Sequence, residues 1–194
     1  MKRNAISKLL ACLLLSVACQ AQAGLNEGVV AYGRGEYTQA LQEFRAAADA
    51  GDIYAQFNLG VMYALGQGVK QDQTTAIGWY RKAADKGLPW AQFNLGQAYE
   101  EAYGVERDEV AAVNWYRKAA EQDFPRAQFN LGLMYARGQG VKPDVVQAYK
   151  WFHLAELNRE PYAERNRANA EKKMTPAQIE AAMNLAREWQ PRKK

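Results

Sequence analysis

Apolar and polar positions repeat every 36 residues across 55–162, in copies opening at Ala55, Ala91 and Ala127 with the run A-Q-F-N-L-G. In the first copy the invariant positions include Leu59, Gly60, Tyr63, Gly68, Val69, Asp72, Ala76, Trp79 and Ala83. A fixed period of this length predicts stacked supersecondary units, each burying its apolar face against its neighbours. The fold class expected is all-α, an α-solenoid of antiparallel helix pairs with about ten helices.

Each unit reads as two helices. Asp52 caps the first helix of the first copy, which runs to about Leu65. The turn Gly66-Gln67-Gly68-Val69 reverses the chain, and Asp72 caps a second helix ending near Lys86, with Gly87 at its left-handed end. Asp108 and Asp144 repeat that cap, and Pro89 and Pro125 open later first helices. Gly60, Gly96 and Gly132 lie inside first helices, where each costs about 1 kcal/mol relative to alanine. The expected compensation is close approach of the paired helix, against small residues such as Ala76 and Ala83.

The period weakens at both ends, as terminal repeats exposed on one face should. Residues 25–51 form an N-terminal capping hairpin in which Tyr32 matches Tyr63 across a turn trimmed by five residues. Residues 163–190 form C-terminal capping helices, with Arg167 at the Leu59 position, a capping box at Thr175 and Gln178, and a staple of Met174 with Ile179. Residues 191–194 are a basic tail.

Residues 1–23 read as a signal peptide: Lys2, Arg3 and Lys8, then the apolar run Leu9–Ala18, then Ala21-Gln22-Ala23. The apolar run is too short to span a bilayer, and no later segment is apolar enough. The expected product is periplasmic or secreted after cleavage following Ala23. Lipid attachment at Cys19 is the minor alternative, since Leu15 stands four residues before it rather than three. Cys12 and Cys19 both leave with the leader. Removing Lys2, Arg3 and Lys8 also reduces 25 basic residues to 22 against 21 acidic ones, so the basic balance belongs largely to the leader. No nucleic-acid stripe remains, and neither a cofactor nor a membrane span is expected.

The inventory argues against catalysis. Beyond Ala23 there is neither serine nor cysteine, so two common covalent nucleophiles are missing. The one histidine, His153, replaces Arg81 and Arg117 of the other copies and reads as an exposed variant. With Glu156 it supplies two ligands from one helical turn, too few for a strong metal site. Adjacent Glu100 and Glu101 diverge around the helix and read as a solvated edge.

The runs A-Q-F-N-L-G-x-x-Y, G-x-G-V-x-x-D and A-x-x-W-Y-R-K-A-A resemble the Sel-one-like repeat (SLR) family, a relative of the tetratricopeptide repeats, over about residues 25–190. The segment from Met174 to Trp189 is similar to the end that follows many bacterial repeats of this kind. Copy two departs at Ala102-Tyr103-Gly104, where the others carry Gly-x-Gly. The resemblance implies a right-handed α-solenoid and a role as scaffold or adaptor in protein complexes, often in envelope or signalling systems. Its cysteine-rich branch, linked to β-lactam binding, does not fit a chain without cysteine after residue 23.

By analogy with tetratricopeptide packing, one face of the first helices lines the concave surface. It carries Tyr54, Phe57 and Val61, then Trp90, Phe93, Gln97, Glu100 and Glu101, then Arg126, Phe129 and Arg137. Phe57, Phe93 and Phe129 are invariant, which also suits packing between repeats. Asn58, Asn94 and Asn130 fall at the groove edge, positioned for a peptide backbone or for a buried structural bond. The function expected is a monomeric, non-catalytic scaffold that binds a partner protein or peptide on this face. The alternatives are a cell-wall fragment or β-lactam binding protein, and a purely structural repeat protein.

Overall fold

Helix boundaries follow the capping residues. In the computed structural model, which describes residues 24–189 and Pro191, helices α3 (Ile53–Leu65) and α4 (Gln73–Asp85) pair as one hairpin. Asp52 Oδ1 accepts from Ala55 N at 2.7 Å, and Asp72 Oδ1 from Thr75 N at 3.0 Å. Each bond satisfies a donor that the first helical turn leaves open. Before this hairpin come α1 (residues 24–33) and α2 (Tyr37–Asp49). The signal-peptide and lipid-attachment readings, and the tail residues Arg192–Lys194, lie outside the described residues.

A second compact unit begins at Gly87, the first ending at Lys86. It holds α5 (Pro89–Glu101) paired with α6 (Glu109–Ala120), α7 (Pro125–Arg137) with α8 (Val145–Leu157), and the closing helices α9 (Ala163–Glu171) and α10 (Pro176–Arg187), both packed on α8. Asp108 and Asp144 cap α6 and α8 as Asp72 caps α4. The turn of copy two keeps the shape of the others. Ala102 takes the left-handed position at φ 61°, where Gly66 and Gly138 stand at 70°. The loops close alike, with Asp72, Asp108 and Asp144 donating through their backbone to Tyr63, Tyr99 and Tyr135 carbonyls at 2.9, 3.0 and 3.1 Å. Helices α3 to α8 are thus local pairs, as the period predicts, and α9 and α10 both close on α8.

The interior glycines face aromatic rings rather than alanines. A methyl group on Gly60 would meet the Tyr80 ring at 2.5 Å, and Gly96 and Gly132 stand in the same relation to Tyr116 and Phe152. This corrects the expected pairing with Ala76 and Ala83. Each ring also packs on the invariant phenylalanine, in the pairs Phe57–Tyr80, Phe93–Tyr116 and Phe129–Phe152, at centroid distances of 5.7–5.8 Å. Those phenylalanines therefore pack within hairpins, and Phe93 also reaches the next hairpin, its ring 5.4 Å from that of Phe124.

Gly28 seats on Phe44 in the same way, which resets the register of the first hairpin. Phe44 follows Gly28 by 16 positions, while Tyr80 follows Gly60 by 20, so the trimmed turn lacks four residues. Ala31, not Tyr32, then corresponds to Tyr63.

Successive hairpins are tied by a buried glutamine. Gln56 Nε2 donates to the Ala48 carbonyl at 3.2 Å, and Gln128 Nε2 to the Ala120 carbonyl at 3.4 Å. Each carbonyl also accepts a backbone N–H, Ala48 from Gly51 and Ala120 from Asp123, both at 3.0 Å, so the glutamine adds a second donor and satisfies its own buried amide. At the C-terminal end the capping box of Thr175 and Gln178 is formed. Trp189 lies edge-on to Trp151 at 5.0 Å, and Trp151 is only 4% exposed.

Candidate interaction face

The first helix of each repeat offers an outward face whose residues divide into supports and free groups. In the first unit Tyr54 is 53% exposed and Leu65 is exposed, while Phe57, Asn58 and Val61 are half-buried. In the second unit Gln97, Glu101, Arg126 and Arg137 are exposed. Trp90 is 51% exposed, yet its ring packs edge-on against Phe124 at 4.7 Å. Phe93 is 7% exposed and lies between Tyr116 and Phe124. It supports the face from beneath and presents little ring to a partner, as does half-buried Phe129 against Phe152.

Glu100 is not a solvated carboxylate. It is half-buried, and the Tyr116 hydroxyl donates to its Oε2 at 2.6 Å. Burial of Tyr116, then this bond and the negative charge of Glu100, hold the phenol well above the usual tyrosine range, while Asn130 acts on the hydroxyl in the opposite sense. Glu100 on α5, Tyr116 on α6 and Asn130 on α7 thereby form a polar chain across three helices. Asn94 and Asn130 are half-buried.

His153 is half-buried as well, contrary to the exposed variant expected. Its ring stacks on Tyr149 at 6.2 Å, and Nδ1 lies 3.8 Å from Glu156 Oε2. Arg167, at the leucine position of the repeat, pairs with Glu156 at 2.5 Å and with Glu171 at 2.7 Å. The polar face of α9 is thus tied to α8 by ions where earlier repeats use apolar packing. Among the described residues no group of three or more His, Cys, Asp or Glu side chains could hold a metal ion. No helix among them is long and apolar enough to cross a membrane.

The second unit also contains a cavity of about 430 Å³ between α7, the start of α8, and α9. Its walls include Leu133, Arg137, Val145, Phe152, Asn166, Asn169 and Lys173. Asn166 and Lys173 continue, 36 residues on, the positions of Asn130 and Arg137. That register was visible in the sequence but is obscured by the polar composition of α9.

Three stretches, residues 53–88, 91–124 and 125–157, match the Sel1 repeat family model. Among solved structures, the chain is similar to a protective antigen of uropathogenic Escherichia coli strains that displays an SLR fold, with 42% identity and a TM-score of 0.72. That match covers 78% of this chain and 32% of the other, so the chain spans about a third of the antigen's length. It is also similar to a Sel1 repeat protein from Oxalobacter formigenes, at 40% identity and a TM-score of 0.63 over 66% of this chain and 97% of that one. No curated protein matches the chain. With three consecutive repeats matched and SLR-fold neighbours at this identity, the chain belongs to the Sel1 repeat family.

Proposed function

We propose that this Sel1 repeat protein is a non-catalytic adaptor that holds a segment of another protein on the outward face of its first helices. The observation that carries this reading is the division on that face. The phenylalanines and glycines that build each hairpin are invariant, whereas the exposed Trp90, Gln97, Arg126 and Arg137 differ from their counterparts in the other copies. Aromatic and arginine side chains commonly dominate binding energy at protein interfaces. An exported location, with cleavage after Ala23, is part of the proposal. The tripartite leader supports it, as does similarity to a protein described as a protective antigen.

Arg126→Glu tests the face, because the side chain is exposed and its reversal leaves the hairpin core intact. Trp90→Ala is a less clean probe, since it also removes the contact with Phe124. Partner capture from envelope extract should fall with Arg126→Glu while the thermal midpoint stays unchanged. Undiminished capture by both variants would move the site elsewhere. N-terminal sequencing of the exported chain should begin at Gly24, and a blocked Cys19 would replace soluble export with a lipid anchor.

A further inference from the structure

The cavity between α7 and α9 has a composition that selects its occupant. Leu133, Val145 and Phe152 supply apolar wall, and Arg137, Asn169 and Lys173 supply donors beside it. Arg137 and Lys173 stand at equivalent repeat positions and are both exposed. Neither side chain has an ion pair or hydrogen bond among the described residues, and neither does that of Asn169. The one carboxylate on the wall is Asp144, whose Oδ1 already accepts from Val146 N at 2.9 Å and Gln147 N at 3.0 Å. Glu171, the nearby acid of α9, is taken by Arg167. The cavity thus offers two unmatched positive charges and a free amide next to an apolar surface.

We infer that this cavity docks an acidic segment of another protein, an aliphatic side chain lying against Leu133 and Phe152 and flanking Asp or Glu carboxylates reaching Arg137 and Lys173. The inference rests on the adaptor reading and adds the chemistry of the partner. The basic run Arg192, Lys193 and Lys194 is a poor occupant, because it repeats the cavity's charge. Carboxylate recognition by arginine adds directional hydrogen bonds to that attraction, and lysine adds a point charge.

The test uses the full-length chain and three fluorescein-labelled hexapeptides. One alternates Glu and Leu and is amidated at its C-terminus, one is the same sequence with a free C-terminal carboxylate, and one alternates Lys and Leu. Fluorescence anisotropy should show saturable binding of both Glu/Leu peptides below about 1 mM, weakening as salt rises from about 0.05 to about 0.5 M. The Lys/Leu peptide should not bind. Arg137→Glu and Lys173→Glu should each weaken binding by about tenfold or more with the thermal midpoint unchanged. Arg137→Lys should retain most of it.

Equal binding of the Lys/Leu peptide, or unaltered affinity in both charge reversals, would overturn the inference. So would binding of the free-acid peptide alone, which would assign the site to a chain terminus. Failure of the Glu/Leu peptides while Arg126→Glu still abolishes partner capture would sink the acidic-segment inference and leave the adaptor reading standing. Capture undiminished by Arg126→Glu, Trp90→Ala and the cavity variants alike would sink both.

Discussion

Gly96 and the ring of Tyr116 are in contact across the α5–α6 hairpin, so close that a methyl group on Gly96 would lie 2.5 Å from two ring carbons. The same seat recurs at Gly28, Gly60 and Gly132, each under the ring of its own hairpin partner. An intrinsically poor helix former is therefore kept where the ring needs the volume.

Gly96→Ala should destabilise the protein by about 1–3 kcal/mol through overpacking, despite the better helix propensity of alanine. Gly78, inside α4, is the control. Its added methyl would meet nothing within 4 Å, so Gly78→Ala should stabilise by about 0.5–1 kcal/mol. Urea unfolding of both variants checks the pair, and equal effects would show that propensity alone governs these positions.

Tyr116→Phe removes the hydroxyl that donates to Glu100 while keeping the ring, and Phe152 occupies the equivalent seat in the next repeat. The expected loss is about 1–2 kcal/mol, the range for a hydrogen bond to a charged group that water partly replaces. The phenol is raised in the folded state, so folding retains its proton. Its stabilising contribution is full below the ordinary tyrosine value near 10 and is lost as pH climbs beyond it. Wild type should therefore lose more stability than Tyr116→Phe between neutral and strongly alkaline pH. Thermal melts across that range provide the measurement.

Ala102 holds a left-handed conformation at φ 61°, one that costs a non-glycine residue about 1–2 kcal/mol. Its side chain is exposed, so Ala102→Gly loses no packing. The greater freedom of glycine in the unfolded chain offsets part of the gain, leaving about 0.5–1 kcal/mol of net stabilisation. A raised urea midpoint with an unchanged slope is the expected result.

Trp189→Ala should uncover Trp151 and lower stability by about 2 kcal/mol, less than for a fully buried tryptophan because Trp189 is itself half-exposed. Lys150 Nζ lies 4.4 Å from the Trp151 ring centroid and 4.6 Å from that of Trp189, so one of its two aromatic neighbours also goes. A red-shifted tryptophan emission should accompany the lower midpoint. An unshifted spectrum would mean that Trp151 remains covered without its lid.

Features that depend on local spacing are legible before the chain folds. Asp52, Asp72, Asp108 and Asp144 cap because an N-cap bonds a backbone donor two or three residues on. The 36-residue register sets the number and pairing of helices because each hairpin repeats one packing problem. Even the altered turn at Ala102 keeps its place, since the flanking helices and the Asp108 backbone bond to Tyr99 over-determine it. Tertiary structure alone decided which residue meets which across helices. A helical wheel gives the side on which Gly60 lies, but whether Ala76 or Tyr80 covers it depends on the depth and angle of the paired helix. Glu100 looked solvated until Tyr116 was placed beside it, and Arg167 looked like a lost apolar position until Glu156 and Glu171 closed on it. The unpaired charges of Arg137 and Lys173 likewise emerge only once α7 and α9 share a cavity, because pairing and burial are properties of the surroundings that folding assembles.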